Sequence, residues 1–265
     1  MTATERVIIG NSTLYCGDCR EIIDDLHFDS IVTDPPYGLS KVLNRRWDDF
    51  GTILNKKQRC KNLHSGGTWA AKEIYKDVDW DDEAPDLIFL LERNVPMILF
   101  GGNYFAGLLP SRKWIVWDKG STHYRRSFAE AELCWCSFDG NVRIFKFIPE
   151  FNTGFISNGS RPQKVHPTQK PVAVMQYCIE ELPKDSGDIV LDPYMGSGTT
   201  GVACVKMGRA FIGIEKNRQY FDTACERIEK AQADYANQFS AVRNFIEQNR
   251  LTPADLFDNE DGMPY

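Results

Sequence analysis

Short apolar runs alternate with amphipathic helical stretches along most of the chain, a rhythm that predicts a mainly parallel sheet covered by helices. Strands are expected at 12–17, 30–34, 96–101, 114–118, 131–137, 188–192 and 210–215. Helices are expected at 20–25, 85–92, 172–182 and 199–207, and from 219 to about 250 as one or two pieces. The rhythm breaks in two places. Residues 38–80 are polar, basic and glycine-punctuated, with Trp47, Trp69 and Trp80 scattered through them, and read as a long functional loop. Residues 140–165 form a second, shorter irregular stretch. The pattern predicts one domain over 1–250 and a frayed acidic tail over 251–265.

Composition adds bounds to this picture. The chain has 265 residues, 42% hydrophobic and 26% charged, enough for one α/β core. No apolar run approaches the roughly 18 residues of a membrane span, and the first residues lack a secretory leader pattern. The eight cysteines are therefore read as reduced thiols. Cys16 and Cys19 form a C-x-x-C without a second pair at zinc-ligand spacing, so no metal site is expected. The net charge of −6 disfavours a nucleic-acid partner until its distribution is considered. Residues 38–78 hold nine Lys/Arg against four Asp/Glu, whereas 219–265 hold four against nine. The basic stretch suits phosphate binding or a solvated loop, and composition does not separate the two.

Two strand ends carry candidate chemistry. The first is Val190-Leu191-Asp192-Pro193-Tyr194-Met195-Gly196-Ser197-Gly198-Thr199-Thr200, a strand running through a glycine turn into a helix. Such a turn lets backbone approach a ligand and aims N–H groups at an anion. The following strand ends at Glu215, where a carboxylate can accept from a ribose diol. Together these suggest a nucleoside cofactor rather than a dinucleotide. The second is Asp34-Pro35-Pro36-Tyr37, directly after a strand. Two prolines stiffen the turn and remove donors, leaving a carboxylate, carbonyl acceptors and one aromatic face. That arrangement suits an exocyclic amino group: Asp34 and the Pro35 carbonyl each accept one N–H, and Tyr37 stacks on the ring. A plain structural turn has the same composition.

D-P-P-Y with D-P-Y-M-G-S-G-T-T downstream resembles the amino-methylating DNA methyltransferases, in the motif order of their permuted β group. Tyr15-Cys16-Gly17-Asp18-Cys19, Gly101-Gly102-Asn103-Tyr104-Phe105, Trp114–Lys119, Ala131–Trp135 and His166-Pro167-Thr168-Gln169-Lys170-Pro171 extend the likeness over residues 12–230. The resemblance implies a seven-stranded, mostly parallel Rossmann-like sheet with one antiparallel strand and helices on both faces. It implies S-adenosylmethionine as cofactor, with Asp18 and Cys19 near its adenine and Glu215 and Lys216 at its ribose. Asp34, Asp192, Tyr194, Gly196, Ser197, Gly198, Thr199 and Thr200 would lie along its methionine end, with His166, Thr168 and Lys170. His166 is equally a helix cap, and Lys170 equally a solvated residue.

By the same resemblance, Asp34, Pro35, Pro36 and Tyr37 would hold a flipped base for direct methyl transfer. Asp at the first position accompanies adenine N6 more often than cytosine N4. No Pro-Cys pair is present for a covalent cytosine-C5 mechanism. DNA contacts are expected from Lys41, Arg45, Arg46, Lys56, Lys57, Arg125 and Arg126, outside the common sheet. A short recognition segment is expected at 140–165. Partners consistent with the resemblance are double-stranded DNA, a second copy and a cognate restriction endonuclease, in a prokaryotic or phage-encoded cytoplasmic setting.

Overall fold

The computed structural model describes residues 5–38, 84–110, 112–120, 129–148 and 169–249. Its strands are β1 (Glu5–Ile9), β2 (Ser12–Cys16), β3 (Ser30–Thr33), β4 (Met97–Phe100), β5 (Trp114–Asp118), β6 (Ala131–Cys136), β7 (Arg143–Lys146), β8 (Ile189–Asp192) and β9 (Ala210–Glu215). They form one sheet in the order β1-β2-β9-β8-β3-β4-β6-β5-β7. The helices are α1 (Cys19–Ile22), α2 (Ile88–Leu91), α3 (Val172–Glu180), α4 (Thr199–Lys206) and α5 (Arg218–Asn249).

All seven expected strands form, and the sheet is larger than expected. Among the described residues it has nine strands rather than seven, and two of them, β1 and β6, run against the rest. The additions are the two edges. Among the described residues, β1 pairs only with β2, and β7 only with β5. Edge strands need no continuous apolar run, because they have one paired neighbour and incomplete cover. Ile8 and Ile144 accordingly stay 61% and 72% exposed.

The central strands are buried on both sides, which is why they read as unbroken apolar runs. Alternation sorts their side chains. Val32, Ile98, Phe100, Val190 and Cys134 face one core layer with Met175, Ala203 and Phe221 from α3, α4 and α5. Ile31, Met97, Leu99, Leu191 and Trp135 face the other, with Ile22, Leu87 and Leu90 beside α1 and α2. Each large side chain buried this way is worth about 1.5–3 kcal/mol.

The topology brings distant segments together. β9 and β8 lie between β2 and β3, with Cys16 opposite Glu215 and Ser30 opposite Val190. The carboxyl ends of β2, β9, β8, β3 and β4 therefore share one edge.

Candidate active site

Ligands of open parallel sheets bind beyond the carboxyl ends of the strands. Here those ends carry Asp18 after β2, Glu215 closing β9, Asp192–Gly198 after β8, and Asp34–Tyr37 after β3.

The glycine turn is built from backbone bonds anchored on Glu215. Gly196 N–H donates to Glu215 Oε2 at 2.9 Å, and Asn217 N–H donates to Oε1 at 2.6 Å. Burial raises the Glu215 pKa, and the N–H groups of Asn217, Gly196 and Lys216 counter it. Gly198 has φ +77°, and a Cβ there would lie 2.8 Å from Ala224 Cβ on α5. Two independent constraints thus require glycine. Gly196, Gly198 and Gly201 keep the G-x-G-x-x-G spacing, so the spacing itself does not separate a nucleoside from a dinucleotide. A Cβ on Gly201 would come 2.5 Å from Ile228 Cδ1 and 2.7 Å from the Phe211 ring, the close packing that a third glycine permits.

Several side chains expected along the cofactor make hydrogen bonds within the fold. Asp192 is 2% exposed and accepts from Thr33 Oγ1 at 2.7 Å, Thr200 Oγ1 at 2.5 Å and Tyr194 N–H at 3.1 Å. Burial pushes its pKa up to about 7, with those three hydrogen bonds pulling the other way. Ser197 and Thr199 are buried beside Arg227 of α5. The Arg227 guanidinium donates to the Ser197 carbonyl, to Ser197 Oγ at 2.9 Å and to Thr199 Oγ1 at 3.2 Å. The side chains of Asp192, Ser197, Thr199 and Thr200 therefore brace the turn from behind, where burial demands hydrogen-bonded partners. At the rim, Asp18 caps α1 through Arg20 N–H at 3.0 Å and lies 3.5 Å from the exposed Lys216. Cys19 is buried in α1, and burial pushes its thiol up to about 11. Tyr194 is half-buried against the α1 core layer.

Asp34 ends a chain of charges. Its Oδ2 accepts from Lys170 Nζ at 2.5 Å, and its Oδ1 accepts from the Tyr37 hydroxyl. Lys170 is 9% exposed and lies 3.3 Å from Glu132 Oε2, while Lys119 Nζ lies 2.5 Å from Glu132 Oε1. Burial raises the Asp34 pKa and the Lys170 charge opposes it. Burial would also raise Glu132, but Lys170 and Lys119 outweigh it and hold Glu132 below the usual range. Lys170 is raised by Asp34 and Glu132 against its own burial and so stays protonated. Lys170 is therefore buried in an ion pair with Asp34 rather than solvated.

Tyr37 stacks on Tyr104 with ring centroids 4.8 Å apart and meets Phe105 edge-on at 6.3 Å. Gly101 makes room for it: a Cβ there would fall 2.2 Å from Tyr37 Cε1, and φ is +66°.

Motif reading missed Glu132, Lys119, Tyr104 and Arg227 as parts of the site. The one available signal for Glu132 was a carboxylate interrupting the apolar run Leu133-Cys134-Trp135 at its start. His166, Thr168, Lys41, Arg45, Arg46, Lys56, Lys57, Arg125 and Arg126 lie outside the described residues, as do 251–265, most of 38–80 and most of 140–165. Among the described residues, no group of three or more His, Cys, Asp or Glu could hold a metal ion. Among them, too, no helix is long and apolar enough to cross a membrane.

Residues 103–226 match the N6/N4 family model described as DNA methylase. The chain is 27% identical over 285 aligned positions to the type II methyltransferase M.HpaI of Haemophilus parainfluenzae, covering 92% of this chain and 81% of that protein. It is 26% identical to the type II methyltransferase M2.MboI of Moraxella bovis, covering 86% and 92%. The crystal structure of the M1.HpyAVI–SAM complex aligns with TM-score 0.46 and 28% identity over 82% of this chain and 99% of that one.

Proposed function

We propose that the chain is an S-adenosylmethionine-dependent DNA methyltransferase of the N6/N4 class, as its similarity to that family model and to type II methyltransferases supports, and that its target is the N6 amino group of adenine. The observation that carries this reading is Asp34 at the β3 end, paired with Lys170 on a two-proline turn that offers acceptors without competing backbone donors. In the family this sequence resembles, Asp at that position accompanies adenine more often than cytosine.

The donor set around the glycine turn fits the cofactor. Asp18 and Glu215 are carboxylate acceptors on neighbouring strand ends, which supports assigning them to an adenine amino group and a ribose diol. The Gly196–Gly198 backbone, braced by Arg227, forms the wall toward the methionine end. When bound, S-adenosylmethionine supplies a methyl group made electrophilic by its positive sulfur.

An adenine amino nitrogen is a poor nucleophile because its lone pair is delocalised into the ring. Asp34 and the Pro35 carbonyl each accept one N–H, which favours a more tetrahedral nitrogen with its lone pair aimed at the methyl. Pro36 keeps the turn stiff, and Tyr37 offers its ring to the base. Positioning and electrostatics then supply the acceleration, with no covalent enzyme intermediate. The amino group lies inside a duplex, so the base must be swung out to reach Asp34. We assign the basic stretch 38–80 to phosphate contact and 140–165 to recognition, within one domain spanning 1–250. A DNA substrate implies a cytoplasmic setting, and the type II names of the relatives support a restriction endonuclease as counterpart.

The test is transfer of isotope-labelled methyl to unmethylated DNA, followed by digestion to nucleosides and mass spectrometry. N6-methyldeoxyadenosine is expected. N4-methyldeoxycytidine in its place overturns the adenine assignment. Asp34→Ala is expected to lower transfer by roughly 1,000-fold or more, in the range of lost transition-state hydrogen bonds, with cofactor affinity within about threefold of wild type. Full activity in that variant refutes the role of Asp34.

A further inference from the structure

Beyond D-P-P-Y, the site contains a pair of charges to which the mechanism above gives no task, Lys119 at the end of β5 and Glu132 on β6. Both are largely buried, with side chains 19% and 21% exposed. Ion pairs in such positions carry a large desolvation cost and are weak devices for stability alone. Their geometry points inward: Glu132 shares Lys170 with Asp34, and Lys119 sits behind Glu132. Positive and negative charges therefore alternate from Lys119 through Glu132 and Lys170 to Asp34, and sum to zero.

Resting on the reading of Asp34 as the amino-group acceptor, we propose that Glu132 and Lys119 are positioning residues that divide the hold of Lys170 and so set how strongly Asp34 accepts from the base. With Asp34 as its sole carboxylate, Lys170 would direct its full charge at one oxygen pair and weaken it as an acceptor. Glu132 draws part of that charge away, and Lys119 limits how far Glu132 can do so. The charged and titratable groups facing Asp34 among the described residues are Lys170 before α3, Glu132 on β6, Lys119 after β5, Tyr37 on its own turn and Asp192 on β8. Glu132 raises the Asp34 pKa and Lys170 lowers it.

The two variants must then move the enzyme in opposite directions. Glu132→Gln leaves two lysines facing one carboxylate, so Asp34 holds its proton less tightly and accepts more weakly. The acid limb of the kcat–pH profile is expected to move down by on the order of one pH unit, with a plateau lower by about tenfold. Lys119→Met leaves two carboxylates facing one lysine, and the same limb is expected to move up by a similar amount. Glu132→Asp should return the limb toward wild type. Cofactor affinity, measured in parallel by titration calorimetry, is expected to stay within about twofold. A limb that stays in place in both variants, or moves the same way in both, overturns the proposal. If Glu132→Gln does not fold, Lys119→Met decides alone: an upward shift supports the proposal and an unmoved limb overturns it. Absence of DNA methylation by the wild-type enzyme would count instead against the reading of Asp34 itself.

Discussion

Asp34 and Asp192 are buried carboxylates on adjacent strand ends, and their partners set them to different tasks. Asp34 faces a lysine and one phenol, whereas Asp192 faces hydroxyls and a backbone N–H and, among the described residues, no cation. A carboxylate without a countercharge is poorly tolerated in a buried site. The Asp192 pKa of about 7 lies above its ordinary 3.8, so the folded state binds that proton more tightly than the unfolded chain does. Its contribution to stability is fully present below about pH 4 and is lost as pH rises through about 7. Asp192→Asn removes the charge and keeps the shape, and the Thr33 and Thr200 hydroxyls can rotate to accept from an amide. The stability of Asp192→Asn relative to wild type is therefore expected to rise between about pH 4 and pH 7 and then level off. The rise should reach up to about 4 kcal/mol, read from urea midpoints across that range. A difference that stays flat with pH would show that Asp192 is ionised throughout. Both residues stood out in the sequence at strand ends. What could not be read there is which one points out and which in, because that depends on Thr33 reaching across 159 positions.

Legibility at the level of elements follows burial. The seven central strands were readable because both faces are covered and every position in β3 and β4 is buried. β1 and β7 were not readable, since Glu5-Arg6-Val7-Ile8-Ile9 and Arg143-Ile144-Phe145-Lys146 become strands only by pairing with β2 and β5. The Lys119–Glu132 pair escaped for a related reason. It exists because antiparallel register places Asp118 opposite Ala131, and no local pattern announces that register. Arg227 escaped because an arginine on a long amphipathic helix looks like a solvated residue. In the fold it ties α5 to the start of α4 through the Ser197 carbonyl and two hydroxyls. All three contacts come from one guanidinium nitrogen, and a methionine keeps an unbranched side chain without donors. Arg227→Met is expected to weaken cofactor binding by about tenfold, or about 1.4 kcal/mol, because the glycine turn loses its brace. At saturating cofactor, kcat should stay within about threefold of wild type. Unchanged affinity by titration calorimetry would mean that the turn keeps its shape unaided.

For the whole molecule, the decisive feature is that two strands late in the chain complete a sheet begun by strands early in it. β9 and β8 fill the gap between β2 and β3, and the cofactor wall and the D-P-P-Y turn become neighbours only when they do. Without them, Leu14 and Ile31, both fully buried, would face water along open strand edges. Contacts of such long sequence separation make folding depend on the joining of both halves. The exposed link at Lys184 and Asp185, between α3 and β8, offers a place to cut without removing an element. A piece ending at Lys184 is expected to aggregate or to lack a cooperative unfolding transition when expressed alone. Its complement has β8, β9, α4 and α5 but lacks their sheet partners, and should fare no better. Co-expressed, the two should associate through the β2–β9 and β3–β8 pairings and recover methyl transfer. A soluble first piece that melts cooperatively by circular dichroism would contradict this, because it would place a self-sufficient core on one side of the cut. Recovery only on mixing would instead show that the proposed active site and the sheet form in the same event.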